Sequence, residues 1–533
     1  MNEVEDFRSL FPLNITEVTA HRITNQIYEG LVRFNQADLS ILPSIAESWE
    51  VNEAGTSWTF KLRKGVLFHD DACFEGGKGR EVTANDFKYS FTMLCTTMPE
   101  NQLSWLFDKK VVGASAHLEA TAAGQAGGDI EGIKVVDDYT LQIDLEYPVS
   151  DFLKVLTQAG CWVFPKEAYD KYGVEMRTHC VGSGPFIAKA VKEGEAVILE
   201  RNKSYWRSDE HGNKLPYLHA IKFSFLKEKK AELLAFRKGN LDMVFRLPIE
   251  MIGDVVGALE DAKKGANQPF EIETKAAFGV EYFGFNHFEP LFQDARVRKA
   301  FNHAIDREKF VTYVLQGDGV AGNYGIVPPG FDGYPYENLK GFTYDPDLAR
   351  QLMADAGYPN GDGFPEIRLQ INSGGENNIR VAESIQSMLK ETLGITVKLD
   401  ILPMAEHYEK VETGNAVFWR TAWLADYPDP ENFINLLYGG NVPEDPHEKA
   451  YLNSERYISS AYDSLTDLAR HELDATKRNQ LYAQADQTML DDAAVIPLFY
   501  NEYTRLLHSN VRNFPQNPME YRDMSEVYFK EKE

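Results

Sequence analysis

Residues 345 to 399 read as helix, glycine stop, helix, glycine stop, strand, and that order leaves few folds open. Asp345-Pro346 puts a carboxylate at the N-cap and a proline at the first helical position, where a missing N–H costs nothing. Leu348, Leu352 and Met353 supply an apolar stripe, and Gly357 supplies a left-handed stop. A second helix is expected over about Ile379 to Leu393, closed by Gly394, after which Ile395, Val397 and Leu399 alternate as a strand. This is the grammar of an α/β unit. The same signals recur upstream. Asp294 precedes a helical stripe of Val297, Ala300, Phe301, Ala304 and Ile305. Thr83 with Asp86 resembles a capping box ahead of Phe87, Phe91 and Leu94. Trp58, Phe60 and Leu62 alternate as a half-buried strand, and Asn52 to Gly55 turns the chain into it from Trp49-Glu50-Val51. Val135 to Leu141 reads as a second hairpin, which Ile143 and Leu145 extend.

At 533 residues the chain is too long for one hydrophobic core, so two or three domains are expected. Lys and Arg total 55 against 81 Asp and Glu, a formal charge of −26. Such a surface repels phosphate backbones and anionic headgroups, which argues against nucleic-acid and polybasic membrane roles. No apolar run reaches the roughly 18 residues that a membrane span needs. The acidic start, Met1 to Asp6, lacks the basic and apolar regions of a signal peptide. It fits either a cytoplasmic protein or one whose signal has been removed. Cys73, Cys95, Cys161 and Cys180 form no C-x-x-C pair, so a zinc ribbon or thioredoxin-like motif is excluded. In an oxidising compartment Cys161 with Cys180 is the expected pairing; four buried thiols is the equal alternative.

Catalytic and cofactor motifs fail on context. Gly317 to Gly322 fits G-x-G-x-x-G, but a helix pattern precedes it and Pro328-Pro329 follows, where a strand and a helix are required. Ser183 has glycines one residue away rather than two, so it is no nucleophile elbow. His471-Glu472 lacks the second His of a zinc-protease motif, and no Walker A occurs. No metal or cofactor is expected. Asn14-Ile15-Thr16 fits a glycosylation acceptor, a tripeptide that arises often by chance.

The stretch Arg420 to Phe433 has a chemistry of its own. An apolar strand-like run ends in Trp423-Leu424-Ala425-Asp426-Tyr427, and Pro428 and Pro430 prevent it from continuing as a central strand. A lone carboxylate beside aromatics suits a small cationic group such as an amine. The bland alternative is a strand that stops at a turn, with Asp426 as a solvated turn residue.

Motifs in unbroken order shift that balance. They are Leu42 to Trp49, Phe60 to Asp70, Thr83 to Phe87, Val181 to Phe186, Arg201 to Trp206, Asp294 to Ala300, Ala304 to Arg307, Tyr344 to Gly357, and Trp423 to Tyr427. From about residue 20 to residue 510 the chain resembles the extracellular solute-binding proteins of family 5, the oligopeptide and dipeptide type that serve ABC importers. The resemblance implies a bilobed α/β fold like the type II periplasmic-binding (Venus-flytrap) class, with an extra small domain and two interlobe crossings. One lobe would comprise 1–40, 165–275 and 498–533, the small domain 41–164, and the second lobe 276–497, with crossings near 276–286 and 497–501. Asp426 would take a peptide's α-ammonium, Trp423 would pack on the ligand, and the backbone at Leu424 would pair with an extended peptide. Arg420 stands where some relatives meet the ligand's carboxylate, with a structural ion pair to a nearby acid as the equal alternative; a second Arg of those relatives is replaced by Val411. Tyr28, Glu29, Tyr282, Asn286 and Tyr500 fall on segments bordering the family's cleft.

The resemblance also implies a monomer that hands short peptides to an ABC permease, in the periplasm or cell envelope. Many relatives carry a lipid on an N-terminal Cys that this sequence lacks. The same fold with another solute (an oligosaccharide, an opine or a nickel complex) is the first alternative. A hydrolase is the second, without a triad or paired carboxylates to support it.

Overall fold

The computed structural model describes residues 1–4, 6–246, 251, 270–373, 376–445, 448–450 and 452–530. The chain divides into two compact units, Met1–Lys275 with Thr504–Glu533, and Ala276–Tyr503. The chain passes from one to the other within two long strands, Phe270–Phe285 and Val495–His508. Residues 41–164, expected as a separate small domain, fall within the first unit.

The first unit contains separate small sheets. Ala46–Val51, Ser57–Leu62, Thr140–Asp144 and Ile133–Asp137 form a four-stranded antiparallel sheet in that order. The helix Ala84–Leu94 starts at a complete capping box, in which Thr83 and Asp86 exchange side-chain and backbone bonds. It buries Phe87 and Phe91 completely. Phe186–Lys192, Ala196–Arg201 and Ala220–Ser224 make a three-stranded sheet. All four cysteines are free thiols, so the pairing of Cys161 with Cys180 does not form. Burial pushes the Cys95 and Cys180 thiols up to about 12 and also raises Cys161 well above the usual thiol range, which disfavours their reactive thiolates.

The second unit is built on a mixed sheet. Its strands are β1 (Phe270–Phe285), β2 (Val320–Ala321), β3 (Ile367–Asn372), β4 (Val397–Leu402), β5 (Phe418–Leu424) and β6 (Val495–His508). The order is β6-β1-β5-β3-β4, with β2 beside β6. β3 and β4 run parallel, joined through the helix Glu376–Leu393. The helix Pro346–Asp355 begins at Asp345, whose side chain accepts from the Leu348 N–H. Phe285, Phe292, Phe301 and Phe418 form the aromatic core, with ring centroids 4.7 to 6.2 Å apart.

Asp429, Glu455 and Asp486 are acidic groups buried inside this unit. Glu455 is 2% exposed, and its Oε1 has no hydrogen-bond partner. Burial raises its pKa from 4.5 to about 7, opposed by a backbone hydrogen bond and the Arg456 charge. Gly284 makes room for it. A Cβ there would stand 2.7 Å from Glu455 Oε1 and 2.6 Å from Trp419 Cε2.

Candidate functional site: an open strand edge ending in a carboxylate

β5 has two kinds of neighbour along its length. Against β1 it pairs fully, from Phe285↔Phe418 to Gly279↔Leu424. Against β3 it pairs only at Leu369↔Phe418 and Gln370↔Trp419. Phe418 and Trp419 are accordingly buried, while residues 420–425 are half-buried. The Ala425 N–H donates to Phe278 O at 2.8 Å. Alternation along an antiparallel pair then turns the N–H and C=O of Ala422 and Leu424 to the opposite edge. Among the described residues no strand pairs with that edge beyond Trp419.

Asp426 follows at the end of this edge. Asn432 Oδ1 accepts from Trp423 Nε1 at 2.8 Å and from the Asp426 N–H at 3.1 Å. Its Nδ2 donates to Asp426 Oδ2 at 3.4 Å. Pro430 caps the short helix Glu431–Ile434 that carries Asn432, and the buried Asp429 accepts from the Glu431 N–H. The prolines therefore position an amide that locks the indole and the carboxylate together. Asp426 is exposed to solvent, yet the protein around it pushes its pKa up to about 6, with the Asn432 hydrogen bond opposing. At neutral pH, above that value, the carboxylate is largely ionised.

Asn432 lies within the proline-stiffened stretch, but its role was not read from the sequence. The signal available was an Asn six residues after the acid, on the first turn after Pro430. Replacing it with Ala leaves the Trp423 and Asp426 N–H groups without their acceptor. A stability loss of about 1–3 kcal/mol in urea unfolding is expected; an unchanged midpoint would show that water replaces the amide.

Arg420 forms an ion pair with Glu281 at 2.5 Å and donates to Asn372 Oδ1 at 2.9 Å. The nearby His407 ring is hydrogen-bonded with Gln370 Nε2 at 3.0 Å, and its pKa falls to about 4 through burial and the Arg420 charge.

The remaining expected residues lie in the interior with internal partners. Tyr28, 1% exposed, stacks on Trp162. Glu29 accepts from Ser183 Oγ at 3.0 Å, Tyr205 OH at 2.9 Å and Trp206 Nε1 at 3.1 Å; burial raises its pKa. Tyr282 is buried opposite Thr421. Asn286 donates to Gly414 O and accepts from the Phe288 N–H, bracketing a turn. Tyr500 donates to Gly325 O at 2.8 Å and accepts from the Gly325 N–H at 2.9 Å. Tyr28 and Glu29 belong to the first unit; Arg420, Trp423 and Leu424 lie on one strand of the second, and Asp426 follows two residues past its end. Among the described residues no cluster of His, Cys, Asp or Glu is placed to hold a metal ion, and no helix is long and apolar enough to cross a membrane.

The chain is similar to proteins of known role. It is 27% identical over 514 residues to the periplasmic oligopeptide-binding protein OppA of Escherichia coli, covering 95% of this chain and 87% of that one. It is 27% identical over 521 residues to heme-binding protein A of Haemophilus influenzae, covering 96% and 88%. Its fold matches the periplasmic binding protein DppA of Helicobacter pylori, solved in complex with the peptide STSA, with a TM-score of 0.80 at 24% identity over 99% and 97% of the two chains. The α/β fold is thus of the type II periplasmic-binding class. The family model for bacterial extracellular solute-binding proteins, family 5 Middle, matches residues 40–444, and the chain belongs to that family.

Proposed function

We propose that this protein is the solute-capturing component of an ABC importer and that its solute is a short peptide. The observation that carries this reading is the half-open edge of β5, ended by an accessible carboxylate. An extended peptide adds to Ala422 and Leu424 as a further strand, through main-chain bonds that ignore side-chain identity. Its α-ammonium meets Asp426, and Trp423, held by Asn432, supplies an aromatic wall. The peptide named in the Helicobacter pylori structure and the oligopeptide role of the Escherichia coli relative support the assignment. The protein binds without turnover, acts as a monomer in the periplasm or cell envelope, with or without a lipid anchor, and delivers its peptide to permease subunits.

Native mass spectrometry of protein purified without denaturation tests this. A ladder of adducts with masses of short peptides is the expected result. A single non-peptide adduct, such as haem, would overturn the peptide assignment, and conversion of added peptides into fragments would overturn the non-catalytic one.

A further inference from the structure

We infer that Glu281 sets which end of a ligand this site reads: by holding the Arg420 guanidinium it leaves the site a reader of amines that is indifferent to a free C-terminal carboxylate. This rests on the peptide reading above.

In the β1–β5 register Glu281 stands opposite Ala422, and Phe283 opposite Arg420. Residues opposite one another share a face, so Glu281 and Arg420 are diagonal neighbours on one face of the sheet. Their side chains meet at 2.5 Å, each only 13% exposed. Asn372 Oδ1 takes the other terminal nitrogen of the guanidinium. Both ends of the fork are therefore occupied. The phenol of Tyr408 feels both charges, Arg420 lowering its pKa and Glu281 raising it, with burial the larger influence.

The Nε, which makes no hydrogen bond among the described residues, is buried, and a ligand carboxylate can take both terminal nitrogens of Arg420 only by expelling Glu281. That leaves a largely buried carboxylate without its cation, which is strongly unfavourable. Removing the Glu281 charge reverses the situation, because an unpaired guanidinium fits a carboxylate through two parallel hydrogen bonds.

The test offers the protein an equimolar mixture of random-sequence tetrapeptides with free carboxyl ends and the isotope-coded C-terminal amides of the same library. Native mass spectrometry reads the bound acid-to-amide ratio. For the protein as it is, the expected ratio lies within about twofold of unity, and Glu281→Gln moves it toward the acid by about tenfold or more. A strong acid preference before substitution overturns the inference while leaving the peptide reading intact, and that result needs no variant to fold. A ratio unmoved by Glu281→Gln, with adducts retained, overturns it equally. Absence of adducts from both libraries overturns the peptide reading itself.

Discussion

Asp426→Ala is expected to weaken binding of a captured peptide by about 2–5 kcal/mol, roughly thirty- to several-thousand-fold in Kd. The argument is one of charge and enclosure. A peptide ammonium leaving water needs a carboxylate partner, and removing that partner leaves the ammonium desolvated and alone. Asp426→Asn isolates the charge, because the amide keeps the size of the side chain and can still bond to Asn432. Titration calorimetry from pH 5 to 8 supplies a second signature. The Asp426 carboxyl has its pKa raised to about 6 in the free protein by the desolvating protein packed around it, although its own surface is exposed. An ammonium bound against it favours the ionised form and pulls that pKa down. Affinity is therefore full above pH 6 and falls as pH drops through 6, approaching a tenfold loss per pH unit. The Asn variant should bind weakly and without this dependence. Equal Kd values for the native protein and Asp426→Ala would remove the carboxylate from the site.

The second large effect concerns stability. Glu455 is 2% exposed, and its pKa is raised from 4.5 to about 7 by burial. A carboxyl whose folded pKa lies above its unfolded one binds its proton more tightly in the folded state. Its contribution to stability is thus fully present below pH 4.5 and lost as pH rises through 7, an amount on the order of 3 kcal/mol. Glu455→Gln keeps the shape and removes the ionisation. The variant should match the native protein at pH 5 and exceed it at pH 8 by up to about 3 kcal/mol in urea unfolding. Parallel pH profiles for the two proteins would mean that water reaches this carboxyl.

Local signals carried most of the fold and part of the site. The helix starts at Asp345 and Asp294, the capping box at Thr83 and the hairpin into Trp58 all rest on residues a few positions apart, and each forms as its spacing implies. The strand ending at Asp426 was legible for the same reason: Pro428 and Pro430 act where they stand. Long-range partners were not legible. Glu29 looks like an edge carboxylate until Ser183, Tyr205 and Trp206, more than 150 residues away, converge on it. Tyr500 looks like a ligand contact until the backbone of Gly325 occupies its hydroxyl. That Arg420 pairs with an acid is an open alternative in the sequence, but that the acid is Glu281, 139 residues upstream, only the fold shows. Charge and aromatic character identify candidates; only the register of distant strands says which of them are already engaged.

The half-open edge of β5 also bears on self-association. Unpaired backbone amides and carbonyls invite a second chain as readily as a ligand, and exposed edges of this kind nucleate aggregation. Here the vulnerable stretch is short, with Trp419 paired at one end and Asp426 and Pro428 at the other. A negative charge and a residue with no N–H to donate are the devices that stop a neighbouring strand from extending its ladder. The terminus of β5 therefore acts as a gatekeeper whether or not a peptide pairs with its edge. A bound solute completes the protection by filling the edge, so the loaded protein resists concentration-dependent association better than the empty one.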